Sequence, residues 1–569
     1  MIVGIDLGTT NSLVACYIDG KVEIIPNRLG RKLTPSVVAV DENQQILIGE
    51  TAREYGYLHP EAVARNFKRT MGTNTEYDLS GLKFDSEELS SLVLRSLKED
   101  AEAYLNQPVD EAIISVPAYF NDNQRKATKH AGQLAGLNVS RIINEPTASA
   151  IYYGVGDSGK TERCMVFDLG GGTLDVTILE YYKNIMEVYA IAGDNFLGGE
   201  DFTRVLMDMF QEKLMVPYSM LDLKTVNSIY KAAEACKIGF TSSRVSSMSV
   251  SISSHPVEFE FTIEEYADSC RQLFDRIRIP LEKSLHDAKV TLDDIDRIIL
   301  VGGATKLSII RDYVAKITGM TPEFKVDPDT SVACGAALQC AMKQRDKEIS
   351  EIILTDVCPF TLGTEVIRNN GSFDEPGHYL PIIERNTVIP VSRKQTVYTA
   401  YDNQKYVTVK VLQGESRLAE NNLLLGQLSI DVPVGPKGRE AIEITYTYDV
   451  NALLEVEVEV LSTHLKKKVI IQNQENKLTE EEAAKKLERL QYLKQNPRED
   501  EENTLALLWA NRMYEETLGP DRDKIVEKAD AFNRAMNTSN RLEIEKARRE
   551  LTQLLEELEN QSFQSGLAA

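Results

Sequence analysis

The sequence predicts a multidomain chain, α/β and duplicated first, an antiparallel β-sandwich next and helical last, because three textures follow one another along it. From residue 1 to about 347, short apolar runs rich in β-branched residues alternate with segments of helical period, the pattern of α/β layers. Ala112-Ile113-Ile114-Ser115-Val116 and Arg297-Ile298-Ile299-Leu300-Val301 read as buried strands. From about 357 to 473 the period becomes two. Tyr406-Val407-Thr408-Val409-Lys410-Val411 and Leu454-Glu455-Val456-Glu457-Val458-Glu459-Val460 alternate strictly between Gly and Pro turns, as antiparallel strands with one solvated face do. After residue 476, Leu478-Thr479-Glu480-Glu481-Glu482 carries a helix start with acids in its first turn. Helical segments are predicted from there to about Gln561, broken at Pro497 and at Gly519-Pro520.

A chain of 569 residues exceeds what one hydrophobic core organises, so about two to four domains are expected. Hydrophobic residues at 42% and charged residues at 27% are ordinary globular composition. A net charge of −23 argues against a nucleic-acid surface, which needs clustered Lys and Arg. No apolar run reaches the roughly 18 residues of a membrane span. Met1 leads directly into Ile2-Val3-Gly4-Ile5-Asp6 without a basic and then apolar leader. The seven cysteines are scattered and odd in number, with no CxxC pair, so they read as small buried hydrophobes in a reducing compartment. A cytoplasmic location, with neither nucleic acid nor membrane as partner, is the expectation.

Between the first two textures, the charged stretch Asp346-Lys347-Glu348-Ile349-Ser350-Glu351 meets the apolar Ile352-Ile353-Leu354-Thr355-Asp356-Val357. A plain linker is polar. The apolar hexapeptide is therefore either the first strand of the sandwich or a switch that docks on one of its neighbours.

Two hairpins carry the chemistry. Asp6-Leu7-Gly8-Thr9-Thr10-Asn11 follows one apolar strand, and Asp168-Leu169-Gly170-Gly171-Gly172-Thr173-Leu174-Asp175 follows another. Each sets an acid at a strand end, then glycines that let backbone N–H groups approach phosphate oxygens, then hydroxyl donors. The acids repel phosphate, so their natural task is to hold hydrated Mg²⁺. Two such hairpins suggest a duplication whose halves clasp one nucleotide. Gly154-Val155-Gly156-Asp157-Ser158-Gly159-Lys160-Thr161 fits the P-loop pattern, but a P-loop needs a strand before it and a helix after. Here helical texture precedes and a strand follows, so the segment reads as a polar surface turn.

These hairpins, with Val116-Pro117-Ala118-Tyr119-Phe120-Asn121-Asp122, Ile143-Asn144-Glu145-Pro146-Thr147-Ala148, Gly193-Asp194-Asn195-Phe196-Leu197-Gly198-Gly199-Glu200 and Leu300-Val301-Gly302-Gly303, resemble the signatures of DnaK-type (seventy-kilodalton heat-shock) chaperones. The likeness runs from residue 3 to roughly 475. The texture of Leu92 to Glu102 and the compact C-terminus resemble the HscC subgroup.

The resemblance implies an actin-like, two-lobed ATPase over residues 1–348, a linker at 349–357 and a β-sandwich peptide-binding domain at 358–476. A helical lid at 477–562 and a tail at 563–569 complete the chain. It implies ATP/ADP and Mg²⁺, with K⁺ as a further ion. Lys68 matches the lysine that orients the attacking water and γ-phosphate, and Thr173 the hydroxyl beside that phosphate. Glu145 and Asp168 match acids of the Mg²⁺ shell, with Asp6 and Asp175 beside them. Phosphoryl transfer needs such positioning and charge neutralisation. Gly8, Thr9, Thr10, Asn11, Gly170, Gly171, Gly172, Gly198 and Gly199 match phosphate-side positions. Glu234, Lys237, Thr241, Gly302, Gly303, Lys306 and Asp329 match the adenosine side. The family usually has arginine where Lys306 stands, and lysine lacks the planar guanidinium that stacks on a base. Weaker or faster-exchanging nucleotide is the expectation.

In the sandwich, Leu362, Thr364, Val366, Val397, Val407 and Val409 match positions lining a peptide cleft, with Ile367 and Ala400 forming an arch over an extended peptide. Thr364 is more polar than the family norm, and Ala452 replaces a usual glycine. Pro117, Arg125, Arg141, Leu354 and Asp356 match residues relaying the nucleotide state, with Arg141 and Asp356 as a contact pair. The shortened helical end reads as a reduced lid over the peptide cleft. Implied partners are unfolded or extended polypeptide clients, a J-domain co-chaperone and a nucleotide exchange factor. The rivals are another actin-fold ATPase, either a sugar kinase or a filament protein, and a non-hydrolysing scaffold that has kept the fold.

Overall fold

The computed structural model describes residues 1–154, 161–182, 185–252, 255–323, 326–344, 352–369, 374–449, 454–471, 494–495, 501–517, 520–538 and 541–568. Two mixed sheets dominate its first part. In the first, the strands Ile2–Asp6, Asn11–Ile18 and Lys21–Ile25 form an antiparallel meander. Glu111–Val116 then joins Ile2–Asp6 in parallel, and Asn138–Asn144 joins Glu111–Val116. In the second, Glu162–Leu169, Leu174–Tyr182 and Ile185–Asp194 form the same meander, and Arg297–Val301 joins its first strand in parallel. The repeated topology is the duplication that the paired hairpins suggest. Strands such as Glu111–Val116 are apolar on both faces because helices cover both sides.

The helices Glu145–Tyr152 and Ser331–Lys343 cross between the two sheets. Their small residues set the distance: a Cβ added at Gly335 would strike the backbone of Ala148, and one at Gly4 the backbone of Ala336 and Ala337. The segment 155–160, which holds most of the P-loop-like run, lies outside the described residues. The helix Glu145–Tyr152 precedes it and the strand Glu162–Leu169 follows, the reverse of what a P-loop needs.

The third part is a sandwich of two four-stranded sheets, both antiparallel throughout. Inward residues of both, among them Val409, Val411, Ile442, Ile444, Val456 and Val458, share one core. The strand Ile353–Val357 is not a strand of either sandwich sheet but docks on both neighbours. It adds in parallel to the edge strand Ile185–Asp194 of the second mixed sheet, and it pairs antiparallel with Val388–Ile389 of the sandwich region. The charged residues 346–351 before it lie outside the described residues.

Three helices, Glu501–Glu516, Pro520–Thr538 and Arg541–Ala568, form a bundle around Ala506, Ala510, Ile525, Phe532, Leu551 and Leu555. The last helix runs to Ala568, beyond the end expected near Gln561. Lys494–Gln495, in a stretch expected to be helical, is instead a short strand paired in parallel with Gln45–Ile46. The helix start at 478–482, Ala452, Pro497 and Gly519 lie outside the described residues. In this structure the bundle is seated against the first part of the chain. Leu508 packs on the apolar cluster of Val37, Ala39, Leu47, Ala52 and Tyr55, and Arg512 pairs with Glu54 of the helix Glu50–Leu58.

Candidate functional site

A cavity of about 580 Å³ opens between the two mixed sheets, within the range that holds a nucleotide-sized ligand. Asp6, Gly8, Thr9, Thr10 and Asn11 line it from the first hairpin. Asp168, Gly170, Gly171 and Thr173 line it from the second, and Lys68 and Glu145 lie between. Gly199, Glu234, Lys237, Thr241, Gly302, Gly303, Lys306 and Asp329 form the other end. Gly172, Gly198 and Asp175 are set back behind this lining. The hairpins face one another so closely that a Cβ at Gly171 would collide with Thr10 Oγ1, and one at Gly198 with the backbone of Gly171 and Gly172. Only glycine gives that approach.

Lys68 Nζ donates to Glu145 Oε1 at 2.7 Å, both side chains nearly out of solvent. Asp6 Oδ1 accepts from Ser115 Oγ at 2.8 Å. Burial, and then the nearby Glu145, push the Asp6 carboxyl up to about 7. Burial and the surrounding acids push Asp168 well above the carboxylate range, and its Oδ2 is buried with no hydrogen-bond partner. Asp175 accepts from the backbone N–H groups of Ala118 and Tyr119 at 3.1 and 3.0 Å. It therefore anchors the loop after Pro117 as well as facing the other acids; burial and Glu145 raise it to about 7. One lysine against three buried carboxylates and the half-buried Asp6 is a set that fits a divalent cation.

Arg69, not singled out from sequence, donates to Gly172 O at 3.1 Å and to Asp201 Oδ2 at 2.5 Å, tying the first half of the chain to the second hairpin. On the other side, Lys237 Nζ donates to Glu234 Oε1 at 2.6 Å, Thr203 Oγ1 at 2.8 Å and Gly199 O at 3.0 Å. Thr241 spends its hydroxyl on Ile238 O at 2.7 Å. Gly302 sits at φ +82°, where a side chain is strained, and its added Cβ would strike Leu169. Lys306 is held by Asp327 at 2.8 Å and Asp329 at 2.5 Å. Burial opposes its charge, but those two acids prevail and raise its pKa.

Two paths lead from this cavity to the sandwich. Asn144, the residue before Glu145, donates from Nδ2 to Asp356 Oδ2 at 2.7 Å and accepts at Oδ1 from Arg125 Nη2, also at 2.7 Å. Arg125 further holds Phe120 O and Ala118 O. The expected contact of Arg141 with Asp356 is corrected: Asp356 accepts from Asn144 and from the backbone N–H of Val357, while Arg141 donates to Gln339 Oε1 at 3.0 Å. Arg141 influences Asp356 only by charge at longer range. Along the second path Tyr119, held at its amide by Asp175, packs at a tilt of 45° against Phe360 with ring centroids 4.5 Å apart. Leu354 packs beside the core under the second sheet. The interface also uses residues the sequence did not reveal. The Asp122 amide donates to Gln413 Oε1, Lys126 donates to Ile471 O, and Arg385 and Asn386 both grip Asp287.

In the sandwich, Leu362 and Val409 are sealed in the core, and Val397 and Val407 pack half-buried against it. Val366, Ile367 and Ala400 are partly exposed. Thr364 is buried with its hydroxyl unpartnered.

Residues 2–568 match the family model described as Hsp70 protein. The chain is 39% identical over 541 residues to the protein named Chaperone protein DnaK of Thermotoga petrophila, covering 92% of this chain and 89% of that protein. It is 38% identical over 516 residues to the protein of that name in Thermosipho melanesiensis, covering 88% and 85%. To the one in Picrophilus torridus it is 36% identical over 593 aligned positions, covering 99% and 94%.

Proposed function

Because this chain belongs to the Hsp70 family, and is thus an ATPase and an ATP-dependent molecular chaperone for unfolded polypeptides, we propose that its cavity, connecting strand and sandwich are the stations of one allosteric circuit. The domains of that circuit are a two-lobed, actin-like ATPase at residues 1–348, a linker at 349–357, a peptide-binding sandwich at 358–476, a helical lid at 477–562 and a short tail at 563–569. ATP/ADP with Mg²⁺ occupies the cavity, and K⁺ is the additional ion.

The acids that would hold Mg²⁺, mostly through water, are Asp6, Glu145, Asp168 and Asp175; Asp168, with its unpartnered buried oxygen, is the least committed elsewhere. When bound, the ion neutralises charge on the phosphate oxygens. Lys68, fixed by Glu145, orients the γ-phosphate and its attacking water, and Thr173 donates beside them. Backbone N–H groups of the two hairpins cradle the phosphates, and water exclusion by the closed lobes strengthens each of these contacts. Glu234, Lys237 and Thr241 face the ribose side, and Gly302, Gly303 and Lys306 the base.

The observation that carries the coupling is the Glu145-Asn144-Asp356 continuity: a cleft acid, its chain neighbour and the connecting strand are joined by one 2.7 Å hydrogen bond. Pro117, Arg125, Arg141 and Leu354 surround this joint. A peptide cleft between Leu362, Thr364, Val366, Val397, Val407 and Val409, arched by Ile367 and Ala400, receives the signal. A J-domain co-chaperone and a nucleotide exchange factor are the further partners. A cytoplasmic setting is supported by seven cysteines that are all buried and free; no described helix is long and apolar enough to cross a membrane. No observation favours the sugar-kinase, filament or scaffold readings, and none of these needs a sandwich paired to the ATPase edge.

Fluorescence anisotropy of a labelled apolar heptapeptide, titrated with ATP and then with ADP present, tests the circuit. Tighter binding in ADP is the expected result. Equal affinity in both states overturns the coupling, and no binding in either overturns the cleft.

A further inference from the structure

The sandwich sheet that carries Leu362, Thr364 and Val366 splits beside them. The strands Leu362–Asn369 and Tyr406–Gln413 are neighbours, yet their ladder joins only Leu362 to Gln413 and Gly363 to Leu412. From Thr364 onward, Leu362–Asn369 keeps its ladder with Asp374–Ile383 on the other side, so a fork opens at Thr364. The root of the fork is held firmly: Tyr446 Oη donates to Gly363 O at 2.9 Å, and Tyr379 Oη donates to Thr361 O at 2.8 Å. In the continuing ladder Thr364 lies opposite Leu380 and Val366 opposite His378, and alternation puts all four on one face. Thr364 and His378 are buried, whereas Val366 and Leu380 are half-buried, so this face meets both the dry interior and solvent.

Two polar atoms on this face are orphans. Thr364 is 1% exposed and His378 5%, and neither Thr364 Oγ1 nor His378 Nδ1 has a hydrogen-bond partner. Among the described sandwich residues one other buried side-chain atom, Gln413 Nε2, is orphaned, and that glutamine already accepts from the Asp122 amide. Buried polar groups are almost always paired, so each exception asks for an explanation. Two exceptions on the diagonal of one strand pair, with backbones about 7–8 Å apart, frame a single gap. The other ring nitrogen, His378 Nε2, lies 3.1 Å from Glu375 Oε2. A carboxylate only accepts, so Nε2 carries the hydrogen and Nδ1 of the neutral ring is an acceptor. The Thr364 hydroxyl has its hydrogen to give.

A planar group with one hydrogen to give and one lone pair to offer answers both atoms, and the side chain of that kind is a carboxamide. Its N–H donates to His378 Nδ1 and its oxygen accepts from Thr364, each at about 2.9 Å. A carboxylate has no hydrogen for Nδ1, and a thioether of equal length leaves both atoms unpaired. We propose that Thr364 and His378 form a carboxamide subsite of the peptide cleft, and that the clients held most tightly are extended apolar segments carrying one Gln or Asn in register with it. Both atoms are closed to solvent as the strands stand, so the client side chain enters as the fork opens and fills the gap on binding. The proposal rests on the assignment of the peptide cleft to this part of the sandwich.

The test is fluorescence anisotropy of labelled heptapeptides on the full-length chain with ADP. A single Gln is walked through every position of an apolar heptapeptide, with Met and then Glu at the same positions for comparison. At one position Gln is expected to bind about tenfold tighter than Met or Glu, because a site built for a hydrogen-bonding side chain rejects one that leaves its buried atoms unpaired. Thr364→Val should cut that advantage to about threefold or less, with Met peptides bound as well as before. His378→Leu should do the same. His378→Asn, whose side-chain oxygen keeps an acceptor near the place of Nδ1, should retain most of it, a distinction that misfolding cannot produce. Gln no tighter than Met at any position, with the Met peptides bound, overturns the subsite and leaves the cleft standing; a resident water joining the two atoms would give that result. A Gln advantage that survives both Thr364→Val and His378→Leu overturns it as well, and so does Glu bound as tightly as Gln. Loss of the advantage in His378→Asn overturns the acceptor role of Nδ1 and the subsite with it. No heptapeptide bound at all overturns the cleft reading and the subsite together, which separates that failure from the others.

Discussion

Asn144 Nδ2 donates to Asp356 Oδ2 at 2.7 Å, and this single hydrogen bond joins the strand end that presents Glu145 to the segment leading into the sandwich. Asp356 is half-buried there, and desolvation raises its pKa against the Val357 N–H and the nearby Arg125 and Arg141. Asn144→Ala removes the donor to Asp356 Oδ2, while the backbone N–H of Val357 still holds Oδ1 at 2.8 Å. The expected outcome is ATP hydrolysis near the wild-type rate with the ATP-to-ADP difference in peptide affinity reduced about tenfold, the scale of one buried hydrogen bond to a charged group. Paired hydrolysis and anisotropy measurements decide it; an undiminished difference would remove Asn144 from the relay.

Among the described residues Lys68 is the only lysine lining the cavity beside the two hairpins, and Glu145 holds it in place at 2.7 Å. Lys68→Ala should lower the ATP hydrolysis rate about 10²- to 10³-fold, as removal of one positioned electrostatic donor does. Nucleotide binding should persist, so single-turnover hydrolysis and equilibrium binding are read side by side. Chelation of Mg²⁺ should abolish hydrolysis in both proteins.

Lys306 is pinned by Asp327 and Asp329 rather than spread as a plane beneath a base. Lys306→Arg keeps both acids paired and adds a guanidinium face. Nucleotide release is expected to slow about 2- to 30-fold, the span of a cation–π contact from exposed to desolvated. An unchanged release rate would show that this position does not meet the base.

Burial pushes the thiol of Cys236 up to about 11 and that of Cys358 up to about 12. Both stay protonated and unreactive in the folded chain at pH 8. A disulfide-exchange reagent should label none of the seven cysteines within minutes in buffer, and all seven in guanidinium. Because the folded state keeps protons that the unfolded chain loses, these thiols make stability fall as pH rises from about 9 through 12, never the reverse.

Thr364 faces the sandwich interior with an unpartnered hydroxyl. Thr364→Val removes that group at constant shape and should stabilise the sandwich by about 1–2 kcal/mol, measured by denaturant unfolding. Lower stability would mean that the hydroxyl has a partner in solution.

Much of this architecture was legible because it is written in local chemistry. The two acid-glycine-hydroxyl hairpins, the apolar runs at 112–116 and 297–301 and the alternation at 454–460 each fix an element through spacing alone, and each is a hairpin or a strand in the structure. Asn144, Arg69 and Asp287 carried no such signal. An asparagine before a helix reads as an ordinary cap, and an arginine or aspartate on a surface helix reads as solvated charge. Their partners lie 212, 132 and 98 residues away along the chain.

The sequence by itself determined the order of the parts, the nucleotide-binding chemistry and the cysteines' burial, since these follow from periodicity, glycine placement and side-chain polarity within a few residues. Only the tertiary structure decided that Ile353–Val357 becomes an edge strand of the second sheet, that Asp356 answers to Asn144 rather than Arg141, and that the helical end grips Glu54 and Lys231 across the cleft. Those are pairings of unsatisfied edges and charges between distant segments, and a lone strand edge or a lone charge is equally well served by water until the fold brings its partner within hydrogen-bond reach.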